Sequence, residues 1–432
     1  MAQPTNPLPK YIEEALESNL LLKQQELDIK LATQQLKEAR GLFFPDVNAV
    51  SDFTLARGGR LISIPVGDLL NPVYNSLNQL TGTNQFPEIE NVNEPFFLNR
   101  FHDTRLSIAQ PLFNTDIYFG YRAQKALISV QEAKTEAYKQ ELKKEVKVAY
   151  FRYLQALDLI NILESNQRLV QELLRVNRTL VDNDKATVDA VYRTQYEVSA
   201  LEAELATAKE QVMVAQSYFN FLLNRSLQSP IEVYTSQLTQ AGATPELSIS
   251  IDQALLKRQE LTQLRGALSA QKELVTLERA SRLPRASVGV LAGYQGLDYR
   301  FTGDEDYQLV QFNFTLPLFS GLQRKSRIQQ ARINAKQAEV QLSELEQRIR
   351  LQVIQAQMAL QSALEEQEAI DDQVKSAEKV YTIKRSQYEQ NQLLLVDLID
   401  AQTQWFTAQQ QQTIAYANVR IRLAEYERSL AL

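Results

Sequence analysis

The sequence predicts a mainly α-helical chain carrying four β-strands, built as a duplicated helix, strand, strand, long helix, turn, helix unit. Three observations predict it. Two tracts, Tyr121–Ser229 (109 residues) and Leu322–Leu432 (111 residues), contain neither glycine nor proline. Before each of them lie short stretches of strict apolar–polar alternation. Landmarks in the first half also recur in the second, at an offset of 239 ahead of the strand-connecting loop and of 206–208 after it, the first loop being longer by 33 residues.

The first helix of each unit covers about 11–40 and 252–282, with Ala15-Leu16 mapping onto Ala254-Leu255 and Pro45 onto Pro284 at one offset, 239. Strands follow the prolines. At 46–57, Val47, Ala49, Phe53 and Leu55 alternate with Asn48, Asp52 and Thr54; at 286–296, Val288, Val290, Ala292 and Tyr294 alternate with Ser287, Gly289, Gly293 and Gln295. The partner strands, 103–110 and 307–316, end on the tripeptides Pro111-Leu112-Phe113 and Pro317-Leu318-Phe319, 206 residues apart. Apolar positions keep their parity relative to the prolines in all four strands, which chance would not preserve.

Long helices then run over about 114–181 and 320–389, and shorter ones return over 184–225 and 393–431. Val188-Asp189 maps onto Val396-Asp397 at an offset of 208, which makes both turns hairpin tips. A helix of 68 residues is roughly 100 Å long at 1.5 Å per residue. The returning helix and the first helix of the unit sum to that length, so the two are expected to stack end to end. Thus 11–225 and 251–432 form two structural repeats joined by a linker at 226–250, and the first repeat carries a longer loop, 58–101, expected to cap or enter a mouth formed by the strands.

Composition excludes most catalytic chemistry. There is no cysteine, hence no disulfide, thiolate ligand or cysteine nucleophile, and the lone histidine, His102, falls in an apparently looped region where a surface position is expected. Phosphate-cradling and metalloprotease motifs are missing, so neither an enzyme nor a cofactor is expected. A net charge of −6 with acids and bases interspersed argues against a nucleic-acid partner. The N-terminal stretch shows no secretory signal, which leaves a cytosolic protein or one whose signal has been removed.

No run approaches the ~18 apolar residues of a spanning helix, so any membrane crossing must use the strands. Strands of about 8–12 residues, apolar on one face and polar on the other, suit a tilted crossing, yet four cannot close a barrel and open edges are not viable in lipid. Closure requires two or three chains. Phe43, Phe44, Phe113, Tyr118, Phe119, Tyr121 and Phe319, where strands meet helices, read as an interfacial girdle or as a plug on the helical core.

This ordered set closely resembles the TolC-like outer-membrane efflux proteins of Gram-negative bacteria, over nearly the whole chain, 11–432. The resemblance implies a homotrimer: a twelve-stranded β-barrel in outer-membrane lipid continued by a twelve-helix periplasmic α-barrel. Such a duct passively conducts drugs, other small molecules or secreted polypeptides, as part of a tripartite efflux or type I secretion system. It joins an inner-membrane transporter through a periplasmic adaptor protein. The family commonly has glycine at the hairpin turns, where this chain has Asn183 and Asn391, residues that tolerate the left-handed conformation. It places gate-lining acids at Asp397 and Asp400 and a restraining contact at Tyr388 and Asp189, while Leu393 stands where a family member has arginine. Lys185, Ala186, Leu393, Leu394 and Leu395 at the tips are the expected adaptor contacts. The competing expectation, a soluble coiled-coil scaffold or tether, explains the helices but not the parity-matched strands.

Overall fold

A computed structural model describes residues 6–233, 251–390 and 392–431. The chain divides into two compact units that cut across the sequence repeats. One, a helical unit, comprises Met1–Gln34, Ala123–Lys272 and Arg332–Leu432; the other, a sheet unit, comprises Gln35–Arg122 and Glu273–Ala331. Segment 234–250, most of the expected linker, lies outside the described residues.

The long helices are α4 (Thr115–Asp182, 68 residues) and α8 (Gln323–Glu389, 67 residues); the returning helices are α5 (Val188–Leu222) and α9 (Leu395–Leu430). Each repeat's first helix, expected whole, is in fact broken in two. The first is α1 (Leu8–Ser18) and α2 (Leu20–Gly41), and the second is α6 (Ile251–Lys257) and α7 (Gln259–Ala280). The breaks at Asn19 and Arg258 obey the same offset of 239 as Ala15 and Ala254. Neither break uses glycine or proline, so reading those residues alone missed it.

At Asn19 the side chain makes the break. Its Oδ1 accepts the Leu22 N–H at 3.0 Å, the bond of an asparagine N-cap, while its Nδ2 donates to the Leu222 carbonyl at 2.9 Å. Ser18 Oγ donates to the Leu223 carbonyl at 2.6 Å. The start of α2 is thereby fastened to the end of α5, the end-to-end stacking that the lengths predict. In the second repeat the Arg258 guanidinium donates to the Ser429 carbonyl at 3.2 Å near the end of α9. Polar side chains thus span both helix joints, by different chemistry.

Apolar packing secures the first joint. Tyr11, Tyr150 and Phe219 form a buried ring cluster with centroids 5.1–6.1 Å apart, joined by Leu22, Leu142, Val146 and Leu154. Ala254, Leu261, Ile349, Val353 and Leu360 form the corresponding core of the second repeat.

Charges meet at the second joint. Arg258, buried, and Arg428 both hold Glu260, and Arg428 also donates to Glu141 at 3.1 Å. Burial alone would raise the Glu260 carboxyl, but the Arg258 and Arg428 guanidiniums outweigh it and hold it below its usual range. Glu141 behaves likewise, its burial outweighed by Lys144 and Arg428. A depressed folded pKa means stability that is complete above the unfolded value, about 4.3 for glutamate, and lost as pH falls through the lower folded value. The detergent-solubilised protein should therefore lose stability below pH ~4.3, and Glu260→Gln should make that acid limb shallower. An equally steep limb in chemical unfolding across pH 3–6 would contradict it.

The sheet unit holds β1 (Asp46–Thr54), β4 (Phe101–Phe113), β5 (Arg285–Leu297) and β6 (Asp306–Thr315), paired antiparallel in the order β1-β4-β5-β6. β4 runs through Pro111 to Phe113, longer than expected, because the proline is accommodated at an irregularity in register between Pro111 and Phe113, and β5 extends one residue further at each end. β1 stops at Thr54, three residues early, ahead of Gly58 and Gly59.

His102 is not a surface residue. It lies in β4, fully buried, and its Nε2–H donates to the Arg300 carbonyl at 2.8 Å while Tyr299 and Phe301 pack on its ring. A strand that extends two residues beyond the expected 103 and a returning β5–β6 connection cover it.

The stretch 58–101 is no simple loop. It contains a small hairpin, β2 (Leu61–Ile64) with β3 (Val92–Pro95), and a helix, α3 (Val66–Thr81), that tolerates Pro72 in its interior. Two asparagines hold it. Asn71 exchanges two bonds with the Ile89 backbone at 2.9 and 2.8 Å, and Asn78 does the same with Phe86 at 2.8 and 3.1 Å. Gly67 permits the close approach, since a Cβ there would sit 2.2 Å from the Ile89 carbonyl oxygen.

Candidate functional site

Two regions carry the features expected of a duct, one in each unit. In the sheet unit the register places Val47, Ile108, Val290 and Val310 in one cross-strand row, flanked by Gln110-Val288-Phe312 and Ala286-Phe314. These side chains share one face, and its outermost members are the most exposed: Phe312 is 76% accessible and Phe314 69%. The opposite face carries Asn48, Asp52, Asp103, Ser107, Gln295 and Gln311. There Tyr307 donates its O–H to Asp103 at 2.9 Å, and Arg105 pairs with the same carboxylate.

Aromatic rings stand at both ends of the apolar face. At one end are Phe43, Phe44, Phe113, Tyr118 and Phe319, all exposed, with the half-buried Phe119; Phe43 meets Tyr121 edge to face at 5.9 Å. At the other, Phe53, Tyr294, Tyr299 and Phe301 surround His102 with centroids 4.8–5.7 Å apart. Sequence reading found only the first group, although Phe53 and Tyr294 close the alternation of their strands. From Phe44 to Phe53 the strand covers about 30 Å at ~3.3 Å per residue, or about 23 Å in height at a ~40° tilt, close to the ~25 Å apolar band of outer-membrane barrels. β1 and β6 each pair on one side alone among the described residues.

In the helical unit the two hairpin tips differ in detail. α4 ends at Asp182, and the residue with positive φ is Asp184 (54°), not Asn183 as the family pattern suggested. The reason is capping. Asn183 donates Nδ2 to the Thr179 carbonyl at 2.7 Å, and the Asp184 and Lys185 N–H groups reach the Val181 and Leu180 carbonyls at 3.0 and 2.8 Å, which is a Schellman closure with its left-handed residue one place later. At the second tip Gln392 N–H closes on the Gln387 carbonyl at 2.9 Å in the same six-residue manner; Asn391 lies outside the described residues.

Asp189 and Asp397 stand in the first turns of α5 and α9, where the helix dipole favours carboxylates. Asp189 and Asp400 are exposed and Asp397 is half-buried, while Leu398 and Ile399 between the second pair face the core. Tyr388 does not reach Asp189. Its O–H donates to Asn177 Oδ1 at 2.6 Å, Asn177 Nδ2 donates to Thr194 Oγ1 at 2.8 Å, and Thr194 donates to the Ala190 carbonyl at 2.8 Å. Asn177 and Thr194 are fully buried. Burial also raises the Tyr388 phenol, which keeps it a donor. From α9, Gln402 Nε2 donates to buried Asn166 Oδ1 at 2.9 Å, about three turns from Asn177 along α4. These two bonds tie the second hairpin to the first; no sequence motif announced Asn177 or Asn166.

Tyr388→Phe leaves the buried Asn177 oxygen without its donor, a cost of about 1–3 kcal/mol. Proteolysis or hydrogen exchange at the tips should therefore increase in that variant, and unchanged protection of 384–402 would show that the bond does not restrain the hairpins. The expected apolar run is only partly open: Leu394 is 70% exposed, whereas Leu393 and Leu395 are half-buried because α9 begins at Leu395. Lys185 is exposed and Ala186 half-buried. An unforeseen stripe, Val188, Tyr192 and Tyr196, runs along α5 at four-residue spacing, each exposed.

Residues 250–431, the second repeat, match the family model described as "Outer membrane efflux protein". The outer membrane protein TolC of Salmonella enteritidis is 22% identical over 431 residues, covering 95% of this chain and 79% of that protein. Over nearly its whole length the chain is similar to the TolC-like outer-membrane efflux proteins. The alkaline protease secretion protein AprF of Pseudomonas aeruginosa is 25% identical over 230 residues, covering 52% of this chain and 48%, about half, of its own length. Among solved structures, the Campylobacter jejuni CmeC outer membrane channel has a TM-score of 0.80 at 17% identity, covering 98% of this chain and 85% of that one. The family's helical body with an attached strand domain is therefore this chain's fold.

Proposed function

We propose that three copies of this chain form an outer-membrane exit duct that passively conducts substrates delivered by an inner-membrane pump through a periplasmic adaptor. The observation that carries this is the sheet: one exposed apolar face between two aromatic groups, with both edge strands open. In water such a face is a liability, and in lipid open edges cost several kcal/mol per unpaired group. Pairing β6 of each copy with β1 of the next removes both problems, and three copies make twelve strands, an even number within the outer-membrane range. A water-soluble scaffold would have no use for a 76% exposed phenylalanine in the middle of a strand.

Assembly around a threefold axis brings Asp397 and Asp400 of each chain towards one entrance. They share a face at i, i+3 spacing, so their repulsion and cation occupancy govern opening. The tips, with Lys185, Ala186, Leu393, Leu394 and Leu395, are the adaptor-facing surface, and the Val188-Tyr192-Tyr196 stripe extends it. In planar bilayers the reconstituted protein should show a low resting conductance that rises when Asp397 and Asp400 are both changed to alanine. Absence of any conductance would contradict the duct, and equal conductance of variant and parent would contradict the gate.

A further inference from the structure

An apolar crevice opens where strands become helices in the sheet unit. Its walls are Phe43 after α2, Leu112 and Phe113 at the end of β4, Ile117 and Tyr118 in the first turn of α4, and Leu283 after α7. The lining is almost wholly hydrocarbon. Gln110 Nε2 on the Phe43 carbonyl (2.9 Å) and Thr115 Oγ1 on the Ala280 carbonyl (3.2 Å) fix its walls, and the Asp116–Arg285 ion pair braces them. It is preformed, and among the described residues nothing fills it.

Charge around it is lopsided. The helical margins of the unit, 35–45, 113–122, 273–285 and 316–331, carry nine Lys and Arg against four Asp and Glu, whereas its strands and loops, 46–112 and 286–315, carry five against eleven. Arg122 and Arg285 are spent on Glu273 and Asp116. Arg40 and Arg282 are exposed and make no ion pair among the described residues. Each is tied to a crevice wall. Arg282 directly precedes Leu283, and the Arg40 carbonyl accepts the Phe43 N–H at 3.1 Å. Their guanidiniums suit a phosphodiester, which takes two parallel N–H bonds from the planar fork.

We infer that this crevice binds one diacyl phospholipid with an anionic headgroup, an acyl chain lying against Leu112, Phe113, Ile117 and Leu283 and the phosphate meeting Arg282 and Arg40. The inference rests on the proposed lipid-facing reading of the sheet, with which the crevice is continuous through Phe113 and the exposed ring group. A phospholipid is the committed occupant because the margin is basic and because the helices of a duct leave the membrane into the periplasm, where the leaflet is phospholipid. The bound lipid works as a non-covalent anchor that fixes the depth of the strand-to-helix junction.

Native mass spectrometry of the delipidated, detergent-solubilised protein tests this, with phosphatidylglycerol and phosphatidylethanolamine added back separately. Phosphatidylglycerol should be retained through gas-phase activation, at about tenfold higher affinity than in Arg40→Glu/Arg282→Glu. Leu283→Trp, which fills the crevice without changing charge, should lose both lipids. Equal retention of the two lipids, or unaltered phosphatidylglycerol retention in both variants, overturns the inference; so does a crevice filled by a neighbouring copy, in which case no lipid is retained and Leu283→Trp dissociates the assembly. Bilayer conductance of the same preparations separates the two readings, because a conducting channel that retains no lipid refutes the anchor alone.

Discussion

Val310→Arg/Phe312→Arg should abolish recovery of the protein from outer-membrane fractions. Both positions lie on the exposed apolar face of β6, in rows that continue through Val290 and Val288 of β5. Arginine on the lipid side of an outer-membrane barrel costs about 2–4 kcal/mol at the midplane and ~0–1 kcal/mol near the interfaces. Two such charges per chain, repeated in three copies, come to about 12–24 kcal/mol at the midplane, enough to cancel the ~5–15 kcal/mol margin of a typical fold. On a water-soluble protein the same changes would be neutral or would improve solubility. Gln311→Arg, between them but on the opposite face, is the matched control and should be tolerated. Normal membrane recovery of the double variant would sink the lipid-facing assignment.

Phe219→Ala should be the most damaging single substitution in the helical unit. The ring is fully buried, edge to face with Tyr11 at 5.1 Å and tilted to Tyr150 at 5.8 Å. Removing it deletes a large apolar surface and leaves a cavity where α1, α4 and α5 meet, a change that costs about 3–5 kcal/mol. The neighbouring Asn19 and Ser18 bonds to the end of α5 lose the packing that shields them. Chemical unfolding in detergent should show the full loss, whereas Tyr218→Ala, one residue away and exposed, should shift the midpoint by less than about 0.5 kcal/mol. Similar effects for the two variants would mean that the ring cluster does not hold the joint.

The long helices, the four strands and the two tips were legible because each rests on a local signal: glycine and proline where the chain turns, period-two alternation where it crosses. What escaped the sequence depends on distant partners. Asn19 breaks a helix by bonding both Leu22 and Leu222, two hundred residues apart in the chain. Arg258 does so through Ser429 and Glu260, and the offset of 239 that links the two positions pairs unlike residues there, so it pointed to neither break. His102 is buried by Tyr299 and Phe301 from the other repeat, a contact no window around residue 102 contains. The structure within 61–95 was hidden by the asparagines of α3, which read as loop residues but bond the backbone of the segment between α3 and β3.

At the tips, the acids were legible as helix-start residues, and their placement in the first turns follows from the Val-Asp repeat. The restraint on Tyr388 was not: the resemblance pointed to Asp189, while the chain supplies Asn177 from α4 and Thr194 from α5. Within the chain the relay that Tyr388 enters is uncharged. Hairpin restraint in this chain should accordingly depend little on pH around neutrality.

Closure of three four-stranded sheets into one barrel is the central claim, and the mass of the purified protein in detergent, with bound detergent subtracted, tests it most directly. Three chains, with a circular dichroism spectrum dominated by helix over a minor strand component, is the expected result. A mass of one or two chains, or a particle that stays in solution without detergent, would contradict it.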